Sequence, residues 1–93
     1  MAFSYSDKNF TVVGNLCFVH IKTDTAGAKT FNIPHGIADR MLVDNFNLMI
    51  ITSMDDLTKP GYIFARFADG VISYTVPNPN TYVWTYFPID SNK

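Results

Sequence analysis

The chain has 93 residues and a net charge of −1, from seven Lys and Arg against eight acidic residues, and it carries one cysteine. That length is a single domain, one cysteine excludes a disulfide within the chain, and scattered cations without a basic run argue against nucleic-acid binding. Only 16% of residues are charged and 47% are hydrophobic, whereas about 25% charged is usual and a domain this small hides only roughly 60–65% of its unfolded surface, so the apolar surplus points to an oligomer.

In chain order, residues 1–9 are polar with Phe3 and Tyr5 interleaved. They read as an N-terminal arm or linker, a flexible lead or an edge arm, with neither the basic nor the apolar region of a signal peptide. Residues 10–90 read as one β domain. Phe10 to Val13 form a short β-prone run, and Gly14-Asn15 is a tight turn or bulge. In residues 16–22, Cys17, Val19 and Ile21 fall on one face and Leu16, Phe18 and His20 on the other. Both faces are mostly apolar, which predicts a central strand or one at a subunit contact. Residues 23–29 are small and polar and read as a loop.

Residues 30–33 predict a short strand with Phe31 and Ile33 inward, ended by Pro34-His35-Gly36. Residues 42–52 fit a strand better than a helix, because Asn45, Asn47 and the β-branched Ile50-Ile51-Thr52 oppose helical spacing. Leu42, Phe46, Leu48 and Ile50 share one face, and one helical turn near Ala38 precedes the strand. Ser53-Met-Asp-Asp56 has capping-box spacing for a further helical turn, ended by Lys59-Pro60-Gly61.

The strongest local signal is Asp69-Gly70 between the alternating runs 62–67 and 71–76. A two-residue hairpin turn needs positive φ at both central residues, which Asp-Gly accepts at little cost. Residues 77–80, Pro-Asn-Pro-Asn, are a loop, since each Pro drives its predecessor out of the helical region. In the last strand, 81–87, Tyr82, Trp84 and Tyr86 share one face, with Val83 and Phe87 on the other. Six or seven short strands at this spacing predict an all-β antiparallel fold, a small β-sandwich or jelly-roll-like domain. No apolar run reaches the length of a membrane-spanning helix.

Catalytic chemistry finds little purchase. Cys17 and His20, three apart on a strand, point to opposite faces. Asp55 and Asp56 are neighbours in a polar turn, not carboxylates flanking a scissile bond. His20 and His35 lack companion metal ligands; only a threefold axis through His20 would assemble a set. The chain is therefore read as a non-enzyme with no cofactor and no metal. The ladder Tyr82, Trp84, Tyr86 has two readings. A Trp-bearing strand in a small β domain ordinarily buries the ring against the opposite sheet or a subunit. The alternative is a platform on which sugars stack, with the Asn78 and Asn80 amides bonding sugar hydroxyls. Tyr82, Trp84, Asn78 and Asn80 are the candidate ligand-binding residues.

Four segments in this order carry a resemblance: Val12-Val-Gly-Asn-Leu-Cys-Phe-Val19, Phe31-Asn-Ile-Pro-His-Gly36, Ala65-Arg-Phe-Ala-Asp-Gly-Val-Ile72 and Tyr82-Val-Trp-Thr-Tyr-Phe87. Together they resemble the C-terminal β domains of bacteriophage tail-fibre and baseplate receptor-binding proteins. The resemblance implies a homotrimeric β head in the virion, made in the host cytoplasm. Its partners would be itself, other virion proteins and host-surface carbohydrate. A capsid decoration or other purely structural virion protein is the competing expectation.

Overall fold

The computed structural model describes residues 3–43, 45–54 and 60–93. Seven strands run β1 (Phe10–Val13), β2 (Leu16–Thr23), β3 (Gly27–Asn32), β4 (Asn45–Met54), β5 (Pro60–Ala68), β6 (Val71–Val76) and β7 (Thr81–Pro88), with a single helical turn, α1 (His35–Ala38), between β3 and β4. All pairings are antiparallel, in the order β1-β2-β7-β4-β5-β6-β3.

The fold is all-β and sandwich-like. β4 is the hinge of the ladder: it pairs with β5 through residues 45–53 but with β7 only through residues 51–54. The sheet turns over there, so that β1-β2-β7 faces β5-β6-β3. Two ring contacts record this closure. Phe67 of β5 meets Phe87 of β7 edge to face at 5.5 Å. Phe10 of β1 meets Phe31 of β3 at 5.6 Å, although these strands end opposite edges of the ladder.

Strand alternation builds the core. Cys17, Val19 and Ile21 of β2, Val83 and Phe87 of β7, Ala65 and Phe67 of β5, and Ile72, Tyr74 and Val76 of β6 are all buried. Phe46 of β4 stacks on Phe67 at 4.7 Å. Burying one phenylalanine ring in this way contributes about 1.5–3 kcal/mol. The Asp69-Gly70 turn has φ of 55° and 75° and joins paired Ala68 and Val71, so the residues chosen from sequence do make the two-residue hairpin.

The arm is docked along an edge. Val12 N–H donates to the Tyr5 carbonyl (2.9 Å), Phe3 N–H donates to the Ser91 carbonyl (2.7 Å), and Ser6 bridges to Thr11. The Phe3 ring lies under the Arg40 guanidinium, 3.9 Å from centroid to Cζ, and Arg40 Nη1 donates to the Gly36 carbonyl at 2.8 Å.

Several boundaries differ from expectation. β3 begins at Gly27, three residues before Thr30, because β6 supplies a ladder partner as far as Val76; pairing overrides the weak strand propensity of Gly-Ala-Lys. β4 runs from Asn45 to Met54, and Leu42 lies outside it, exposed. Ser53 and Met54 are strand residues paired with Tyr82 and Thr81, not the start of a helical turn. Asp55 and Asp56 lie outside the described residues. Pro60 and Gly61 open β5, where the first strand position tolerates a missing N–H.

Candidate functional site

The outer face of β2, β7 and β5 carries the chain's largest exposed rings. Alternation that sends Val19, Val83 and Ala65 inward sends Phe18, His20, Trp84, Tyr86, Tyr62 and Phe64 outward. β2 and β7 pair so that Phe18 faces Tyr86, His20 faces Trp84 and Lys22 faces Tyr82. Across β4, Ile51 is in register with both Trp84 and Tyr62, so the rings of β7 and β5 lie two strands apart on one continuous sheet.

Phe18 and Tyr86 tilt against each other at 5.9 Å, and His20 stacks on Tyr82 at 5.6 Å while meeting Trp84 edge to face at 5.4 Å. Lys22 Nζ sits 5.7 Å above the Tyr82 ring. The result is a half-open groove of about 940 Å³ lined by Phe18, Val19, His20, Leu48, Tyr62, Trp84, Thr85, Tyr86 and Pro88. Phe18, Tyr86, His20 and Trp84 are held by one another yet still reach water, Trp84 at 44% exposure, and Tyr62 stands more open at 69%.

Of the four residues chosen from sequence, Trp84 lines the groove. Tyr82 is half-buried beside it, held by His20 and Lys22, and does not line it. Asn78 and Asn80 are exposed in the 77–80 loop, where their backbone does the structural work: the Asn78 carbonyl accepts from Thr81 Oγ1 (2.8 Å) and Asn80 N–H donates to the Asp24 carbonyl (3.2 Å). Neither asparagine lines the groove. Burial of Trp84 against the opposite sheet, the ordinary fate of such a ring, does not occur within the chain, because Val83 and Phe87 already fill the inward positions of β7.

Phe18, Val19, His20, Leu48, Tyr62, Thr85, Tyr86 and Pro88 complete the groove and were not among the four. A usable signal existed for Tyr62: Arg66 shares its alternation in β5, and a charged residue marks the solvent side of a strand.

Cys17 is buried on the face opposite His20, and burial, aided by the Asp7 charge, pushes its thiol up to about 12. Among the described residues no three His, Cys, Asp or Glu side chains come together to hold a metal. No described helix is long and apolar enough to cross a membrane, a statement that does not extend to β-barrels. The arrangement defines an antiparallel β domain with an aromatic groove on its outer sheet face. No family model, curated protein or solved structure matches the chain.

Proposed function

We propose that the chain is a non-enzymatic binding head that recognises carbohydrate in the groove between β2, β7 and β5, serving as a host-attachment domain of a phage virion. The observation that carries the binding part is the exposed Trp84 ring, braced by His20 and flanked by Tyr86 and Tyr62. Aromatic faces braced in this way present area without further ordering cost, and hydroxyl and imidazole groups at their edges supply hydrogen bonds. The phage assignment and a homotrimeric state rest on the sequence resemblance. Binding of immobilised glycans by the purified chain, lost in Trp84→Ala, tests the reading; a blank glycan array with strong retention on capsids would replace it.

A second reading, in which another virion chain covers this face, draws on the exposed rings themselves, whose area reaches the upper end of what an ordinary monomer shows but falls short of a full interface. Taking about 200 Å² for each ring, the fractional exposures of Phe18, Tyr62, Phe64, Trp84 and Tyr86 leave on the order of 600 Å² in water. A stable interface needs about 800 Å² per partner, and the largest patch on an ordinary monomer is about 300–600 Å². Quenching of Trp84 separates the two readings: a ring that glycan shields and capsids do not supports ligand binding, and a ring that capsids shield and glycan does not supports burial against another virion chain.

A further inference from the structure

A second, more polar groove lies on the outer face of β4, β5, β6 and β3. Phe64 lies two residues beyond Tyr62 on β5, so both rings share the outer face, and Phe64 is 71% exposed. Next to it, four adjacent strands each contribute one polar side chain to a single cross-sheet row. Asn47 of β4 pairs with Arg66 of β5, Arg66 with Ser73 of β6, and Ser73 with Thr30 of β3. All four are exposed. At about 4.8 Å between strands, the row spans roughly 14 Å. It lies in a shallow groove of about 660 Å³.

The charge of this groove runs against that of the chain. The protein as a whole is −1, yet Arg66 stands on the groove's face and, among the described residues, no carboxylate lines it; Lys29, which also lines it, shares the inward alternation of Phe31. Lys29 Nζ is engaged by the Thr25 hydroxyl at 2.6 Å. Arg66 makes no ion pair among the described residues. An arginine fork matches a carboxylate with two parallel hydrogen bonds, which a lysine ammonium does not. The hydroxyls of Ser73 and Thr30 and the amide of Asn47 both donate and accept, which suits a ligand rich in hydroxyl groups.

We propose that this row is a subsite for a carboxylate-bearing sugar, a uronate or sialate unit of an acidic glycan whose neighbouring sugars lie on the aromatic groove. Arg66 takes the carboxylate, Asn47, Ser73 and Thr30 take ring hydroxyls, and Phe64 stacks on a sugar face. The inference rests on the carbohydrate reading of the aromatic groove and names its substrate class.

The test uses the whole chain on an array of sialylated, uronate-containing and neutral glycans. The best acidic glycan is then titrated beside its methyl ester, which removes the carboxylate charge and adds one methyl group. The expected result is that acidic glycans dominate, that the ester binds at least about tenfold more weakly, a difference near 1.4 kcal/mol, and that Arg66→Gln removes this preference while retaining binding of the ester. Equal binding of acid and ester, or an Arg66→Gln chain that keeps the preference, overturns the subsite and leaves the aromatic reading standing. Acidic-glycan binding that survives in Trp84→Ala keeps the subsite and overturns the aromatic platform. A blank array overturns both. An oligo-aspartate peptide that binds as tightly as the acidic glycan overturns the sugar assignment in favour of acidic peptide. Thermal unfolding of Arg66→Gln close to that of the parent chain shows that the readout is binding and not folding.

Discussion

Trp84 and His20 face each other across the β2–β7 ladder and meet edge to face, ring centroids 5.4 Å apart at 84°. His20 is also stacked on Tyr82, so it fills the space between two rings of β7 and limits the rotamers open to Trp84. A cross-strand aromatic pair of this kind contributes about 0.5–1.5 kcal/mol beyond its buried area. Because Trp84 is the chain's one tryptophan, its fluorescence reports on the groove alone. Emission should be red-shifted and readily quenched by iodide in the isolated chain. It should shift to the blue, with quenching reduced, when glycan fills the groove. Trp84→Ala should abolish glycan binding and lower unfolding stability by about 2–4 kcal/mol, from the buried half of the ring and the lost aromatic pair together. Glycan binding retained by the folded variant would mean that Trp84 is structural and not a presented ring.

Phe67 occupies the opposite kind of position. It is fully buried, stacked on Phe46 and edge-on to Phe87, and so joins β4, β5 and β7 across the two layers. Phe67→Ala should cost about 3–5 kcal/mol, a large part of the roughly 5–15 kcal/mol that holds such domains folded. Urea denaturation of the variant should show a much lower midpoint. A midpoint within error of the parent chain would contradict the layer packing.

Gly70 tests the turn that ties β5 to β6. Its φ is 75°, and a Cβ built there would meet only Ala38 Cβ at 3.8 Å, an ordinary contact. Gly70→Ala therefore isolates backbone strain from crowding and should cost about 1–2 kcal/mol. If stability is unchanged, the turn relaxes to another type and the Ala68–Val71 register is not held by it.

The parts of the fold legible in the sequence were those set by neighbours in the chain. Asp69-Gly70 carries its own φ requirement, and the alternation of Cys17, Val19 and Ile21 or of Val83 and Phe87 is a property of one strand. What stayed hidden depends on residues far apart. Gly27 is a strand residue because Val76 pairs with it, and Ser53 because Tyr82 does. The groove was half legible for the same reason. Trp84 and Tyr86 announce a ringed face on β7, but Tyr62 and Leu48 join it only because β4 and β5 follow β7 in the ladder, an order no local pattern encodes. Asn78 and Asn80, chosen for their amides, lie in a turn whose backbone is occupied by Thr81 and Asp24.

Cys17 should behave as an inert core residue. It is fully buried, and burial, reinforced by the Asp7 charge, pushes the thiol up to about 12. The thiolate is the reactive form, so at pH 8 the folded chain should react with an aromatic disulfide reagent only through unfolding. Adding urea past the midpoint should release one thiol per chain at once. Rapid stoichiometric labelling in native buffer would show that β2 opens far more readily than its packing implies.

Asp7 ties down the arm and gives the chain an acid-sensitive contact. Its Oδ1 accepts the Asn9 and Phe10 N–H groups, each at 2.7 Å, and its Oδ2 accepts the Tyr5 hydroxyl at 2.8 Å. Desolvation pulls its pKa upward, but the Phe10 and Asn9 N–H bonds, the Tyr5 hydroxyl and the Lys8 charge together outweigh it. The carboxyl is therefore held below its ordinary 3.8. Between the folded and unfolded values the unfolded chain holds the proton and the folded chain does not, so stability rises with pH there. The contribution is fully present above 3.8 and is lost as pH falls through the lower folded value. Tyr5 shows the complementary sign. Its hydrogen bond to Asp7, then desolvation and the Asp7 charge, raise it above 10.0, so its contribution is present below that value and lost as pH rises through the folded one. Asp7→Asn keeps an acceptor for the two N–H groups but removes the charge. The parent and variant should therefore differ in urea midpoint at pH 6 and converge only as pH falls below the lowered folded value of Asp7, where both side chains are neutral. A gap that stays constant from pH 6 to pH 2 would assign the effect to shape alone and remove the charge from the account.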